Sequence, residues 1–262
     1  MADLALHSFT ALDKVQDTET YIAALTQFDA IAQMQELKAI ERAQVAPGAT
    51  VLDVGCGFGL ETLRFAAAGH PVTGLDKSAD FIAEARRRAA AQGLAAAFAV
   101  ADADALPYPA ASFDHVRAER VLIYLEEPER AVAEMRRVAR PGATLSFIEP
   151  DFGSLDVNLA DRGVVRRAMA YEADTAVAQS ALPGRLAGFL ADLGLEVEIA
   201  TRVVIFPQDL AAAYFSAIGR HAARDGALTA AEGEAWAAEV ATLHARGRLF
   251  GTIGYFLSLG RV

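Results

Sequence analysis

The 262-residue chain is poor in cysteine and histidine, with a single cysteine, Cys56, and five histidines. One cysteine excludes a disulfide framework within the chain and any metal site that needs several thiolates. The histidines form no H-x-H or H-x₃-H pair, the kind of spacing that brings two imidazoles to one metal. We therefore expect neither a disulfide scaffold nor a metal site.

Basic side chains are also scarce, because 24 Lys and Arg residues stand against 34 Asp and Glu residues, for a net charge of −10. Proteins that bind nucleic acid neutralise its phosphates with a basic surface. The longest basic run is the triplet Arg86–Arg88, which is typical of a solvated helix face. The charge balance argues against nucleic acid as a partner and disfavours anionic membranes.

Long hydrophobic runs are absent. The two longest stretches without a charged residue or histidine, 89–101 and 249–260, are too short to span a bilayer. Residues 1–10 include Asp3 and lack the basic and apolar regions of a secretory signal. The hydrophobic fraction of 53% includes 58 alanines, which favour helix more than a large core. We expect a cytoplasmic globular protein with no membrane partner.

Residues 47–149 show a regular alternation of strand-like and helix-like segments. Ser78 and Gly93 are residue types preferred before the start and after the end of a helix, and Pro128 suits a first helical turn. Strands that alternate with helices form right-handed βαβ units and a mostly parallel sheet. The segments with strand character are 50–54, 71–75, 96–101, 113–118 and 143–148.

Two more strand-like segments, 197–206 and 249–259, follow among helical ones. The pattern predicts an α/β fold: a Rossmann-like, doubly wound, mostly parallel sheet of seven strands with a helical lid, in one domain over 1–262. Added helices commonly cover the carboxyl ends of such strands, where ligands bind. The predicted parts are a cofactor-binding core at 47–150, lid segments at 1–46, 151–182 and 208–246, and the last two strands within 194–206 and 249–262.

A glycine-rich loop follows the first strand in the sequence VLDVGCGFGLET, residues 51–62. Glycines there allow a sharp turn and let a ligand approach the main-chain N–H groups. The dinucleotide fingerprint requires G-x-G-x-x-G, but Leu60 occupies the third glycine position. Glu61 then places a carboxylate where a pyrophosphate would bind, which weakens the interpretation as an NAD or FAD site.

Three carboxylates lie at or near the ends of the first three strands. Asp53 is in the first strand, Asp76 ends the second and Asp102 follows the third. A carboxylate after the second strand can accept hydrogen bonds from both hydroxyls of a ribose. A carboxylate after the third strand can accept one from the amine of an adenine. Together they indicate a nucleoside ligand without phosphate and with a positively charged group.

On these residues the chain resembles the class I S-adenosylmethionine-dependent methyltransferases, particularly small-molecule enzymes related to the ubiquinone and menaquinone C-methyltransferases. The resemblance is detailed over residues 45–150 and holds only in outline elsewhere. The matching segments are VLDVGCGFG (51–59), GLDKS (74–78), ADADALPY (101–108), SFDHVRAERVL (112–122) and EEPERAVAEMRRVARPGATL (126–145).

The resemblance implies that S-adenosylmethionine is the cofactor, with S-adenosylhomocysteine the product of methylation. Its methionine part would lie along Gly55, Cys56 and Gly57, in a loop that Asp53 helps to shape. The resemblance assigns the nucleoside part to Asp76 at the ribose, with Lys77 nearby, Asp102 and Ala103 at the adenine, and Arg120 closing the site.

The chain departs from the family at two positions. Tyr124 stands near a position where many relatives have histidine, which puts any inference about a catalytic histidine in doubt. Ala143 replaces a second glycine after Gly142, a minor change.

Methyl transfer from a sulfonium is an in-line displacement, for which alignment supplies much of the rate. A base is needed only where the acceptor must lose a proton. The candidate catalytic residues are Tyr124, Glu149 at the end of the fifth strand, and His221 on a helix of the lid. The candidate substrate-contacting residues are Tyr21, Phe28, Glu149, Tyr171 and Tyr214, four of them aromatic side chains on lid helices.

The sequence therefore predicts S-adenosylmethionine-dependent methyl transfer to an O, N or C atom of a small-molecule substrate, in a biosynthetic pathway. Another use of the same sulfonium, such as intramolecular alkylation or cyclisation, is an alternative. An NAD-linked oxidoreductase and a non-catalytic binding module are others. The chain is expected to act as a monomer or a homodimer.

Overall fold

The computed structural model describes residues 18–262, with side chains from Ile22 onward. This part of the chain contains seven strands and nine α-helices. The strands are β1 Val51–Val54, β2 Val72–Asp76, β3 Ala97–Val100, β4 Phe113–Glu119, β5 Ala139–Val157, β6 Glu196–Ile205 and β7 Gly251–Arg261. The helices are α1 Thr18–Asp29, α2 Ala32–Arg42, α3 Leu60–Ala67, α4 Ala79–Gln92, α5 Pro128–Val138, α6 Arg162–Thr175, α7 Leu182–Asp192, α8 Gln208–Arg224 and α9 Ala230–Ala245.

The strands form one sheet in the order β3-β2-β1-β4-β5-β7-β6. β1 lies between β2 and β4 and is parallel to both, with Val51 opposite Val72 and His115. β3 pairs in parallel with β2, and β5 with β4. The strand order reverses between β1 and β4, and ligands of doubly wound sheets bind at the carboxyl ends of strands at such a point. The predicted α/β fold with seven strands and a mostly parallel sheet is confirmed.

The last strand in the chain, β7, runs against its neighbours. The amide of Val262 donates to the carbonyl of Ala143 near the start of β5, whereas Asn158, after the end of β5, donates to Phe250. The start of β5 therefore lies beside the end of β7, and the end of β5 lies beside the start of β7, so the two strands are antiparallel.

Local signals determine where several helices begin and end. The Ser78 side chain accepts a hydrogen bond from the Phe81 amide at the start of α4, and Gly93 ends the helix with a φ of 65°. Pro128 occupies the first turn of α5. These features confirm the helix boundaries predicted from the sequence.

The fifth strand is longer than the expected segment 143–148. β5 continues to Val157, so the first residues of the expected lid segment are strand. Long-range pairing sustains the extension, since the Ser154 hydroxyl accepts a hydrogen bond from the Gly254 amide of β7. Leu155 and Val157 are buried there, which adds apolar packing to the pairing.

The chain divides into two compact units. The sheet unit comprises residues 37–149, 182–201 and 256–262, and its core includes Val51, Phe65 and Val72. The helical unit comprises the described residues up to 36, with 150–181 and 202–255. The single-domain organisation and the lid remain predictions.

The helical unit has its own aromatic core. The Phe206 ring stacks on Tyr214 at a centroid distance of 5.4 Å and also contacts Phe28 and Phe215. Tyr255 lies 5.5 Å from Phe28. All five rings are buried. None of the helices in residues 18–262 has the length and apolar character needed to cross a membrane.

Candidate active site

The loop between β1 and α3 is shaped by three glycines in the left-handed region, Gly55, Gly57 and Gly59, with φ of 69°, 53° and 83°. A side chain at Gly55 would also have no room, since its Cβ would lie 2.2 Å from Val121 Cγ2. A Cβ at Gly57 would meet no atom within 4 Å, so the loop is open at that point. The backbone therefore turns sharply and leaves space beside Gly57 for a ligand.

Asp76, at the end of β2, connects to this loop. Its Oδ2 accepts a hydrogen bond of 2.9 Å from the Gly57 amide, and its Oδ1 accepts one of 2.8 Å from the Ser78 amide. Burial raises the pKa of Asp76, while these N–H groups act in the opposite direction. The carboxylate thus borders the open part of the glycine loop, where a ribose diol would need an acceptor.

Cys56 serves to pack the loop. Its amide donates to the Leu75 carbonyl at 2.9 Å, and its sulfur lies 2.8 Å from where a Cβ on Gly74 would be. Burial raises the pKa of the Cys56 thiol, and the carboxylates of Asp53 and Asp76 raise it further. The thiol is therefore protonated at neutral pH and is not a nucleophile.

Asp53 belongs to a buried ionic cluster beneath the loop. Its Oδ1 contacts Arg117 Nη1 at 2.6 Å, and its Oδ2 accepts a hydrogen bond of 2.6 Å from the Thr62 hydroxyl. Arg117 also pairs with Glu41 of α2 at 2.8 Å and with Glu119 at 2.9 Å. Asp53 therefore joins the start of the loop to β4, and its role in shaping the loop stays a prediction.

Glu61 follows the loop, in the first turn of α3, and is 4% exposed. It pairs with Lys38 at 3.2 Å, with Arg42 at 3.1 Å, and with Arg64. These cations neutralise its charge, so repulsion of a pyrophosphate by Glu61 is a weaker argument against a dinucleotide than the sequence alone indicates. Leu60 still occupies the third glycine position.

The other predicted cofactor residues differ in exposure. Lys77 and Asp102 are exposed, and Ala103 is half-buried. Arg120 follows β4 with a φ of 53°, in the left-handed region that non-glycine residues seldom occupy. Within the sheet unit, the glycine loop, Asp76 and this turn after β4 lie at the ends of β1, β2 and β4. The assignment of each residue to a part of the cofactor remains a prediction.

Glu149 is the candidate catalytic residue with the most unusual environment in the sheet unit. It is fully buried, and its Oε1 accepts hydrogen bonds from the amides of Val121 at 3.1 Å and Leu122 at 2.9 Å. Burial raises the pKa of Glu149 to about 8. Tyr124, the second candidate, is half-buried at the end of the 3₁₀ turn Leu122–Tyr124.

The remaining candidates fall in the helical unit. Phe28 and Tyr214 belong to its aromatic core, and His221 is also buried. Tyr171 is partly exposed, and its hydroxyl donates to Asp225 at 2.5 Å. The side chain of Tyr21 lies outside the described residues.

Sequence reasoning missed one buried acid in the helical unit. Glu172 of α6 is fully buried, and its Oε1 accepts a hydrogen bond of 2.8 Å from the Tyr214 hydroxyl. Burial raises the pKa of Glu172 to about 7. Helical spacing offered a signal, because Glu172 follows the buried residues Val164 and Ala168 at intervals of four.

No group of three or more His, Cys, Asp or Glu side chains within residues 18–262 is placed to hold a metal ion. The residues at the strand ends do fit a nucleoside cofactor. Asp76 supplies a buried carboxylate, and the backbone beside it at Gly57 has room for a ligand. This combination suits the ribose of S-adenosylmethionine.

Comparison with known proteins shows which proteins this part of the chain is similar to. A family model described as a methyltransferase domain matches residues 52–147, which include the glycine loop, Asp76 and the turn after β4. Residues 52–147 therefore form a methyltransferase domain that is similar to the class I S-adenosylmethionine-dependent methyltransferases.

Two curated relatives show the extent of the likeness. An uncharacterized 37.1 kDa protein in transposon Tn4556 of Streptomyces fradiae is 32% identical over 203 residues, covering 76% of this chain and 58% of that protein. A demethylmenaquinone methyltransferase of Renibacterium salmoninarum is 37% identical over 117 residues, covering 44% of this chain and 48% of its own length. The chain thus spans about half the length of these relatives.

Among solved structures, the [4+2]-cyclase SpnF is 25% identical with a TM-score of 0.55, over 87% of this chain and 79% of that chain. Its likeness extends well beyond residues 52–147. The proteins to which the chain is similar thus include one named as a methyltransferase and one named as a cyclase.

Proposed function

We propose that this protein transfers the methyl group of S-adenosylmethionine to an O, N or C atom of a small-molecule acceptor in a biosynthetic pathway. The observation that supports the proposal is the hydrogen bond between Asp76 and the Gly57 amide, beside open space in the glycine loop at the carboxyl ends of β1 and β2. When bound, S-adenosylmethionine supplies a methyl group on a sulfonium that needs no metal for its transfer.

The residues of the chain would act mainly by binding and alignment. Asp76 accepts hydrogen bonds from the ribose hydroxyls, with Lys77 nearby. Asp102 and Ala103 contact the adenine. The peptide groups of residues 55–57 hold the methionine part, and Arg120 closes the site. A correctly aligned acceptor then reacts at an effective concentration far above its concentration in solution.

The class of methyl acceptor is inferred from the charge of the chain. The acidic balance of the chain supports a small molecule over a nucleic acid or an anionic membrane. We propose that side chains of the helical unit bind it, with Phe28, Tyr171 and Tyr214 as candidates. Tyr124 and His221 are the candidate bases for an acceptor that must lose a proton. The protein is proposed to act in the cytoplasm, as a monomer or a homodimer.

Calorimetry with S-adenosylmethionine, S-adenosylhomocysteine and NAD tests the cofactor assignment. We expect micromolar binding of the first two and none of NAD. Binding of NAD alone would overturn the proposal. Mass spectrometry of a metabolite extract incubated with the protein and S-adenosylmethionine then tests the reaction, since a methylated product is about 14 Da heavier than its substrate.

A second candidate is a cyclisation, favoured by the likeness to the [4+2]-cyclase SpnF. A cycloaddition within one molecule adds no atoms and leaves S-adenosylmethionine intact. The same experiment separates the two, because a cyclase would give a product of unchanged mass and no S-adenosylhomocysteine. Alkylation within the cofactor itself would consume S-adenosylmethionine without a product 14 Da heavier.

A further inference from the structure

Residues 148 and 149, in the middle of β5, hold the turn that follows β4 by hydrogen bonds from three consecutive amides. The amide of Arg120 donates to the Ile148 carbonyl at 2.9 Å. The next two amides, of Val121 and Leu122, both donate to Glu149 Oε1. A single carboxylate oxygen therefore satisfies two backbone donors that would otherwise be buried beside it.

This turn has a backbone that needs such support. Arg120 has a φ of 53°, which is unfavourable for a residue with a Cβ and persists only where the surroundings determine it. Residues held in this way are often part of a functional site. Here the support comes from Ile148 and from Glu149, whose side chain accepts hydrogen bonds from the Val121 and Leu122 amides.

The turn is in direct contact with the glycine loop. Gly55 packs so closely on Val121 that a Cβ at position 55 would lie 2.2 Å from Val121 Cγ2. A shift of Val121 would therefore move Gly55 or leave it without support. Two residues further on, the Gly57 amide donates to Asp76, so the contact leads to the proposed ribose acceptor.

We propose that Glu149 is a positioning residue of the cofactor site, which fixes the turn 120–122 and through Val121 the path of the glycine loop. The proposal rests on the proposed function and changes the role of Glu149 from a candidate base or substrate contact to a backbone acceptor. Its Oε1 already accepts two hydrogen bonds, and Oε2 has no hydrogen-bond partner among residues 18–262. Glu149 thus acts on the cofactor through Val121.

Three substitutions at position 149 test this role. Glu149→Gln keeps an oxygen that can accept both hydrogen bonds, whereas Glu149→Ala and Glu149→Met remove it. Calorimetry should give S-adenosylmethionine affinity within about twofold of the wild type for the Gln variant and about tenfold weaker for the other two. Glu198→Gln, which removes one exposed carboxylate of β6, is the matched control and should bind as the wild type does.

A double-mutant cycle with Val121→Ala tests the route from Glu149 to the loop. Val121→Ala alone should weaken binding by about threefold or more, because it removes the packing on Gly55. If Glu149 acts through Val121, the combined Glu149→Ala and Val121→Ala variant should be weaker than the wild type by clearly less than the product of the single effects.

Several results would overturn the proposal. These are wild-type affinity in the Ala and Met variants, purely multiplicative effects in the cycle, or a tenfold loss in the Gln variant. Thermal unfolding is measured for every variant, and a Met variant that fails to fold would assign Glu149 to stability instead. A wild-type protein that binds no S-adenosylmethionine would refute the proposed function first, so the two failures are distinguishable.

Discussion

At the scale of single residues, Asp76 tests the cofactor site most directly. The carboxylate has two oxygens with different backbone partners, the amides of Gly57 and Ser78. We expect Asp76→Asn to weaken S-adenosylmethionine binding by about tenfold or more, since the amide has one acceptor oxygen and no charge. Calorimetry measures the change. Asp80→Asn, an exposed change in the first turn of α4, is the control and should leave affinity unaltered.

Cys56 allows a second residue-scale prediction, because it is the only thiol in the chain. Its raised pKa keeps the thiolate fraction low in the folded protein. We expect alkylation by iodoacetamide at pH 8 to be at least about tenfold slower in the native protein than in the urea-unfolded chain. Equal rates under the two conditions would contradict a half-buried, protonated Cys56.

At the scale of elements, α2 is tied to the sheet by ion pairs. Met34 and Leu37 are buried, and Lys38 and Glu41 are also buried. Lys38 pairs with Glu61 and with Glu119, while Glu41 pairs with Arg117. α2 therefore pairs directly with Glu61 of α3, which follows the glycine loop. Through Arg117 it is also linked to Asp53 of β1, which precedes the loop.

Neutralising Glu41 should be costly. Arg117 lowers the pKa of Glu41 below its usual range despite burial, so the carboxylate is charged throughout the neutral range. We expect Glu41→Gln to reduce the free energy of unfolding by about 3 kcal/mol, because Arg117 loses a buried counter-charge. Urea unfolding measures the loss. Glu36→Gln is the control on the same helix, since Glu36 forms an exposed pair with Arg202 and should cost less than about 1 kcal/mol.

The helix ends could be predicted from local sequence patterns, but the full length of one strand could not. The cap of α4 at Ser78 and the first turn of α5 at Pro128 could be predicted, because their determinants lie within a few residues. The extension of β5 could not. Gly153 and Ser154 have low strand propensity, and Ser154 is held by Gly254, 100 positions away in the chain. Tertiary pairing overrode the local preference.

The site divides in the same way. The glycine loop and Asp76 could be predicted from a short motif, since strand ends and glycines are local features. The pairing of Glu41 with Arg117, across 76 positions, depends on the packed fold. A partial signal existed, because Lys38 and Glu41 share a helical stripe with Met34 and Leu37.

At the scale of the whole molecule, the net charge of −10 does not show that several acidic side chains are buried in two different kinds of environment. Glu41, Asp53 and Glu61 are buried with cationic partners and hold elements together. Glu149 and Glu172 are buried as well, but burial raises the pKa of both. Arg117 lowers the pKa of Glu41, which therefore stabilises the fold as a carboxylate, whereas burial favours the neutral acids of Glu149 and Glu172. Glu41 and this pair of acids therefore respond to pH in opposite directions.

The stability of the folded chain should therefore fall as pH rises through neutrality. Glu149 keeps its proton in the folded chain up to about pH 8 and loses it near the ordinary pKa of 4.5 when unfolded, and Glu172 does so up to about pH 7. Between these limits the folded chain binds more protons, so the free energy of unfolding decreases with pH. Glu149→Gln and Glu172→Gln carry no titrating proton. The double variant should therefore lose about 6 kcal/mol less stability than the wild type from pH 5 to pH 8 in urea unfolding. Glu198→Gln corrects for the loss of one exposed charge and should follow the wild-type curve. A double variant with the wild-type pH dependence would mean that both acids are ionised in the folded protein.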